Sequence, residues 1–281
     1  MDRYVVAGNP VEHSQSPFIH AEFARQTGQA LRYDRLLCPL HEFGRTVRQF
    51  ADSDPAQPAR GCNVTVPFKF EAFQLAPQHT GRAALARAAN TLRFDAQGWR
   101  ADNTDGAGLV RDIELNAGVP LAGKRLLLIG AGGAAAGVLG PLLGASPALL
   151  VLSNRTPEKA QTLAAQHQAA AGRTRLLVRP LANCGVGFDV VINASASSLQ
   201  GTAVPVAAHA LSPGGLALDM MYGPPAQAFL AWAAAHGAVA RDGLGMLVEQ
   251  AAEAFEFWRG VRPQTAAVLQ SLRQRMSAAR P

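Results

Sequence analysis

Lys69 closes the run Asn63-Val64-Thr65-Val66-Pro67-Phe68-Lys69, and Asp105 lies within Asp102-Asn103-Thr104-Asp105-Gly106. Each run reads as a strand end turning into a helix, the edge of an α/β sheet at which ligands bind. A lysine alone is ordinarily a surface residue, and Asp105 could serve only as a helix N-cap. Brought to one sheet edge, an ammonium and a carboxylate can exchange a proton with an alcohol while a hydride moves on or off the adjoining carbon.

A hydride needs a carrier, and Gly130-Ala131-Gly132-Gly133-Ala134-Ala135 has the form of a dinucleotide cradle, GxGxxA, directly after the apolar strand Leu126 to Ile129. Gly130 permits the tight turn, Gly132 lets the backbone approach a pyrophosphate, and Ala135 allows the helix to pack closely on the sheet. The helix N-terminus then offers unpaired NH groups to the anion. A dinucleotide site reads its ribose about 20 residues further on, where an acid selects NAD. Here that place holds Ser153-Asn154-Arg155-Thr156, with donors and positive charge in place of an acid, so the expected cofactor is NADP. Arg155 is the main discriminator. Lys159 is either a second cation for the 2'-phosphate or part of a solvated helix face.

Ser14-Gln15-Ser16-Pro17 has a structural reading first, because serine at the N-cap followed by proline at the first helical position is a favoured helix start. A capping hydroxyl can still donate its own proton to a bound carboxylate. Ser14, outside the cap on this reading, has less structural reason to be there. His13 and His20 flank the motif without acid or cysteine partners at ligand spacing and read as surface or packing histidines. No metal is expected.

The elements that must position these groups follow from the alternation of β-rich and helical runs. Tyr4 to Ala7, a helix from Pro17 to Gln26, Leu31 to Leu37, a helix from Leu40 to Asp52, and Gly61 to Val66 suggest β-α-β repetition and a mainly parallel sheet. Asn90 to Phe94 and Trp99 to Ala101 add a hairpin through Asp95-Ala96-Gln97-Gly98. A helix near Gly106 to Asn116 leads to strands at Arg125 to Ile129, Leu149 to Ser153, Asp189 to Asn193 and Leu216 to Asp219, the order of a doubly wound sheet. Pro141 should kink or shorten the first helix of this region. Helices from Met246 to Trp258 and after Pro263 to about Met276 have no sheet of their own and should pack back on the first domain. Two α/β domains are thus expected: residues 1–105 with 245–281 for substrate, and a Rossmann-type NADP domain over 106–244. Trp232 and Trp258 read as core or interdomain residues.

Composition narrows the class. The chain has 281 residues, 48% hydrophobic and 16% charged, which suits large cores and argues against disorder. A net charge of +6 favours anionic partners, yet the basic residues are scattered and aromatics make up only 6%, so small carboxylates or phosphates suit it better than nucleic acid. Leu126 to Leu152 carries no charge and has the length of a membrane span, but its glycines and prolines divide it into strand, turn, helix and strand. Cys38, Cys62 and Cys184 lie far apart, without a CxxC pair or zinc spacing, and read as reduced thiols. With no positive region and apolar stretch at the N-terminus, no secretory signal is expected and the protein is assigned to the cytoplasm.

Taken in order, Gly8-Asn9-Pro10, Ser14-Gln15-Ser16-Pro17, Asn63 to Lys69, Ala89-Asn90-Thr91, Asp102 to Gly106, Gly130 to Ala134, Asn154-Arg155-Thr156, Asp219-Met220-Met221-Tyr222 and Asp242 to Leu247 resemble the shikimate dehydrogenase family nearly end to end. The glycine loop and Asn-Arg-Thr are shared with other reductases, including glutamyl-tRNA reductase; their joint order with the Val-Thr-Val-Pro-Phe-Lys and Asp-Asn-Thr-Asp-Gly runs is specific. The resemblance implies NADPH-dependent, reversible reduction of 3-dehydroshikimate to shikimate in aromatic amino acid biosynthesis. By position, it implies that Ser14 and Ser16 bind the carboxylate with Tyr222 nearby, and that Asn63, Thr65, Asn90, Asp105 and Gln250 hold the ring hydroxyls. Apart from it, Gln250 could be an ordinary polar helix residue. Lys69, paired with Asp105, would give the proton to the C3 oxygen. Gly130, Ala131, Gly132, Gly133, Ala134, Asn154, Arg155, Thr156, Lys159, Met220 and Gly243 would line the cofactor, with no metal, and the enzyme would work as a monomer or homodimer.

The chain departs from the family pattern at Arg87, where relatives usually have glycine, at Ala196 and Ser198 within the run up to Leu199 near the expected nicotinamide, and at Gln227-Ala228. Lys159 stands for a more usual arginine, which weakens a planar grip on phosphate. Alternatives are a related enzyme acting on quinate or an amino analogue, and a non-catalytic NADP-sensing module. Retention of both serines favours shikimate, because quinate's extra C1 hydroxyl needs room beside the carboxylate, and an acid-base pair has no use in a sensor.

Overall fold

The computed structural model describes residues 1–195 and 206–278, so Ala196, Ser198 and Leu199 lie outside the described residues. The chain divides into two compact units, Met1–Gly108 with Val248–Pro281, and Leu109–Leu247.

The first unit carries the sheet order β2-β1-β3-β5-β6-β4. β1 (Asp2–Gly8) pairs in parallel with β2 (Leu31–Leu37) and β3 (Ala59–Val64). β5 (Thr91–Arg93) runs antiparallel to both β3 and β6 (Arg100–Asp102), and β6 pairs in parallel with the two-residue β4 (Gln78–His79). Two reversals restore direction, so β3 and β6 end at the same sheet edge, which also receives the residue before β5. Around the sheet lie α1 (Ser16–Thr27), α2 (Phe43–Asp52), α3 (Lys69–Leu75) and α4 (Gly81–Ala86). α5 (Asp105–Arg111) and α9 (Leu244–Arg259) each run across the boundary between the units.

α9 and α10 (Ala266–Ala278) pack on the first unit. The Trp258 indole lies 4.6 Å from the Tyr4 ring and donates to the Leu92 carbonyl at 3.0 Å. Gly61 makes this approach possible: a Cβ there would lie 2.4 Å from the Leu92 oxygen and 2.6 Å from the Trp258 Nε1.

The second unit is a fully parallel sheet of order β12-β11-β10-β7-β8-β9, the doubly wound arrangement. β7 (Arg125–Ile129), β8 (Leu149–Ser153) and β10 (Phe188–Asn193) are apolar runs buried on both faces, as a sheet covered by helices requires. β9 (Arg175–Val178), β11 (Leu211–Asp219) and β12 (Val239–Arg241) complete it, with α6 (Gly133–Gly144), α7 (Pro157–His167) and α8 (Gln227–Ala235). The apolar stretch from Leu126 to Leu152 is therefore β7, α6 and most of β8, and among the described residues no helix is long and apolar enough to cross a membrane. α6 continues past Pro141 and stops at Gly144. The helix expected from Leu40 begins at Phe43, and the strand expected to reach Val66 ends at Val64, because Thr65 to Phe68 form a turn closed by the Phe68 NH on the Thr65 carbonyl.

Candidate active site

Lys69 opens α3, one turn beyond β3, and Asp105 opens α5, beyond β6. Their shared sheet edge brings Lys69 Nζ to 2.5 Å from Asp105 Oδ2, with side chains 14% and 6% exposed. Asp105 is not merely a cap: its own NH is taken by Asn103 Oδ1 at 3.2 Å, and its second oxygen accepts from Asn90 Nδ2 at 2.8 Å. Asn90 is the knot of the site. Its Nδ2 also donates to Thr104 Oγ1 and Gln250 Oε1, while its Oδ1 accepts from the Thr104 NH and from the Thr91 and Thr104 hydroxyls. Gln250, remote in sequence on α9, thus joins the edge through Asn90 and Thr104.

The loop bearing Asp105 has a second anchor. Arg82 grips Asp102 with Nε at 2.7 Å and Nη2 at 2.6 Å, and reaches Glu253 on α9 at 3.1 Å. Burial alone would raise the Asp102 pKa, but Arg82, with the Thr80 hydroxyl and the Asn103 NH, holds it below its ordinary value. The carboxylate is kept charged, and the loop is kept in place by it.

Asn63, near the end of β3, accepts from the Tyr33 hydroxyl at 2.7 Å and donates to the Asn90 carbonyl and the Thr91 hydroxyl. Burial pushes the Tyr33 phenol well above its ordinary pKa, and the Ser16 hydroxyl beside it acts in the opposite direction. His20 stacks on Tyr33 with ring centroids 4.2 Å apart and is 1% exposed, which pushes its pKa down to about 3. It is a neutral packing histidine, whereas His13 is exposed. Thr65 follows β3, and Gly8 lets it lie against β1, since a Cβ on Gly8 would meet the Thr65 methyl at 2.2 Å.

The serine motif differs from its expected form. Gln15 is the N-cap of α1, no side chain caps the helix there, and Ser16 is its first residue with Pro17 second. The local structural bond belongs to Ser14, whose Oγ accepts the Ser16 NH at 3.3 Å and stands 3.2 Å from the Ser16 Oγ. Proline fits either of the first two helical positions, so its presence could not fix which serine did the capping.

The second unit holds the remaining predicted residues. Gly130 has φ +119°, and a Cβ there would lie 2.8 Å from the Ala194 oxygen, so the turn after β7 admits glycine alone. Gly132 borders open space, with nothing within 4 Å of a Cβ, and Gly133 starts α6, leaving the first amides of that helix directed at the opening. Ala131 and Ala134 lie on the same turn. Ser153, ending β8 beside Gly130, is fully buried with a hydroxyl that has no partner among the described residues. Asn154 Nδ2 bonds the Thr156 carbonyl at 2.9 Å, and Arg155 and Lys159 are exposed without an ion pair among the described residues. Gly243 allows the Met220 carbonyl to come within 2.3 Å of where its Cβ would be. An open glycine turn, an orphan hydroxyl and two uncommitted cations suit a phosphorylated dinucleotide. Tyr222 lies in this second unit, and Ser14 and Ser16 in the first.

Several supporting residues had no assigned role in the sequence reading: Tyr33, Thr104, the Arg82–Asp102 pair, and Asn193, whose Nδ2 bonds Asp219 at 3.0 Å. Thr104 and Asp102 lie inside the run that drew attention to Asp105, and that was their signal. Tyr33 gave none, since a tyrosine alternating inward on a strand looks like ordinary core. Among the described residues no group of acids, histidines and cysteines could hold a metal ion.

Three family descriptions match the chain: the shikimate dehydrogenase substrate binding domain over residues 6–92, shikimate/quinate 5-dehydrogenase over 114–204, and the shikimate 5'-dehydrogenase C-terminal domain over 243–273. The shikimate dehydrogenase (NADP(+)) of Methylibium petroleiphilum is 66% identical over 97% of this chain and 94% of its own. Among solved structures, an Ael1 enzyme from Pseudomonas putida is similar with a TM-score of 0.87 and 44% identity, covering 97% of this chain and 98% of that one. Shikimate 5-dehydrogenase from Thermus thermophilus in complex with NADP(H) and shikimate is similar with a TM-score of 0.83 and 29% identity, covering 98% and 99%.

Proposed function

The chain belongs to the shikimate dehydrogenase family, and from that premise we propose that it catalyses the reversible NADPH-dependent reduction of 3-dehydroshikimate to shikimate. The first unit is the substrate domain and the second the NADP domain. The bound cofactor supplies the hydride; the residues of this chain bind, orient and move the proton. The observation that carries this reading is the buried Lys69–Asp105 pair, 2.5 Å apart at the sheet edge.

Lys69 Nζ holds the proton that goes to the C3 oxygen as the ketone becomes an alcohol, and takes it back in the reverse direction. Asp105 keeps the ammonium aimed, and Asn90 fixes Asp105 by its other oxygen. The preset geometry removes orientational entropy from the step. Asn63, Thr65, Asn90, Asp105 and Gln250 bind the ring hydroxyls, and Ser14 and Ser16 the carboxylate. In its present arrangement Asn90 has both amide hydrogens and its oxygen engaged, so a ring hydroxyl must take over one of these bonds.

Gly130 to Ala134 receive the pyrophosphate, Arg155 with Asn154, Thr156 and Lys159 the 2'-phosphate, and Met220 and Gly243 shape the nicotinamide end. Three free, buried cysteines suit a reducing cytoplasm, where the enzyme acts as a monomer or homodimer.

Purified protein with 3-dehydroshikimate should oxidise NADPH rapidly and NADH poorly, followed by absorbance. NADPH binding without turnover on this substrate, but with turnover on a quinate-derived ketone, would reassign the substrate; no turnover on either would leave a cofactor-binding protein.

A further inference from the structure

The groups assigned to the substrate carboxylate, Ser14 and Ser16, are neutral hydroxyls, and the positive charge of Lys69 is matched by Asp105. As assigned, the site would hold an anion without a counter-charge. Arg35 supplies one. It lies on edge strand β2, in register with Val6, and its guanidinium donates to the Ser14 carbonyl through Nη2 at 2.6 Å and Nε at 3.2 Å.

Three features set this arginine apart. It is exposed, so its removal opens no cavity. It has no ion pair among the described residues, and its close neighbour Asp34 is taken by Arg32 at 2.6 Å. Its partner is a carbonyl, which satisfies hydrogens but leaves the net charge uncompensated. Holding a long exposed side chain in one rotamer costs side-chain entropy, which a surface carbonyl bond alone offsets poorly. The carbonyl it holds belongs to the serine whose hydroxyl accepts the Ser16 NH, so the same contact fixes the turn and sets a permanent charge at the backbone of that turn.

We infer that Arg35 is the counter-charge of the substrate carboxylate and the positioning residue of the serine turn, and that it makes the site select a carboxylate over a neutral analogue. This rests on the shikimate reading above. The charge acts through space, so its influence falls with ionic strength.

The test compares wild type, Arg35→Met and Arg35→Lys on shikimate and on shikimate methyl ester, at saturating NADP, in low and high salt. Arg35→Met should raise KM for shikimate about tenfold, the scale of one partly screened charge interaction, with kcat within about twofold. KM for the ester should rise by no more than about twofold, the part owed to the serine turn, and high salt should narrow the gap between wild type and Arg35→Met on shikimate. Arg35→Lys, which keeps the charge and loses the fork, should recover most of the shikimate KM. An equal rise for acid and ester, or no rise for either, overturns the inference while leaving the family reading intact. A wild-type chain inert toward shikimate but still binding NADP overturns both.

Discussion

At the sheet edge of the first unit that carries Lys69 and Asp105, Asn90 uses its amide hydrogens and its oxygen on protein partners, and Asn63 is held from three sides. In the second unit the corresponding edge is a bare glycine turn, a Ser153 hydroxyl without a partner among the described residues, and two exposed cations. One region is built of side chain bonded to side chain, the other of backbone shape and waiting charge. On the proposed reading, the first orients a small, polyhydroxylated molecule through bonds that are exchanged on binding. The second takes a long, highly charged one, for which backbone amides and exposed cations are sufficient. Mutations should therefore act differently in the two places: on turnover in the first, on cofactor affinity and discrimination in the second.

The largest effect belongs to the pair. Lys69→Ala should lower kcat by roughly 10² to 10⁴, the usual worth of general acid catalysis, with NADPH affinity unchanged in a fluorescence titration. A parallel loss of NADPH affinity would break the division of labour. Next, Arg155→Ala combined with Lys159→Ala should weaken NADPH roughly 10- to 100-fold, the loss of charge-assisted phosphate bonds, and leave NADH binding as it was. Equal weakening of both cofactors would place the 2'-phosphate elsewhere.

A smaller effect sharpens the picture of the pre-built region. The unfolded chain protonates His20 below about pH 6.5, whereas the folded chain resists until about pH 3. The unfolded state then binds more protons, so stability falls as pH drops through that window, by up to about 1.4 kcal/mol per unit from this residue. Urea unfolding of His20→Phe at several pH values between these limits should show a shallower decline than wild type. The smallest effect concerns Arg87, which ends α4 in the left-handed region at φ 49°. Glycine adopts this backbone without strain, and Arg87→Gly should raise stability by roughly 1 kcal/mol in the same assay, without altering KM.

How much of this could be read from residues alone depended on whether the determining contacts were local. β7 and β8 emerged with their observed bounds because strands buried on both faces are unbroken apolar runs between glycines and polar turns. β4, with two residues, and β12, exposed for most of its length, carry no such pattern and escaped notice. Lys69 and Asp105 were legible because each lies at a strand-to-helix junction. What holds them was not: Arg82 meets Glu253 across 171 residues of sequence, and Asn90 meets Gln250 across 160. No periodicity in a single sequence encodes such a meeting. The serine turn was legible as a motif but not in its bonding, since a Ser16 cap and a Ser14 bond to the Ser16 NH both fit the same run and only the backbone decides.

The indole of Trp258 lodged against Gly61 has a consequence for how the chain is made. About 140 residues, the whole of the second unit, are synthesised between Gly108 and Val248. At roughly 5 to 20 residues per second, the first sheet waits about 7 to 28 s for the helix that covers it. During that interval its β1 and β3 surfaces stand open to the translation machinery's surroundings. The unit that begins second, being continuous in sequence, is the first that can finish, and the substrate domain closes only as the last helices leave the ribosome.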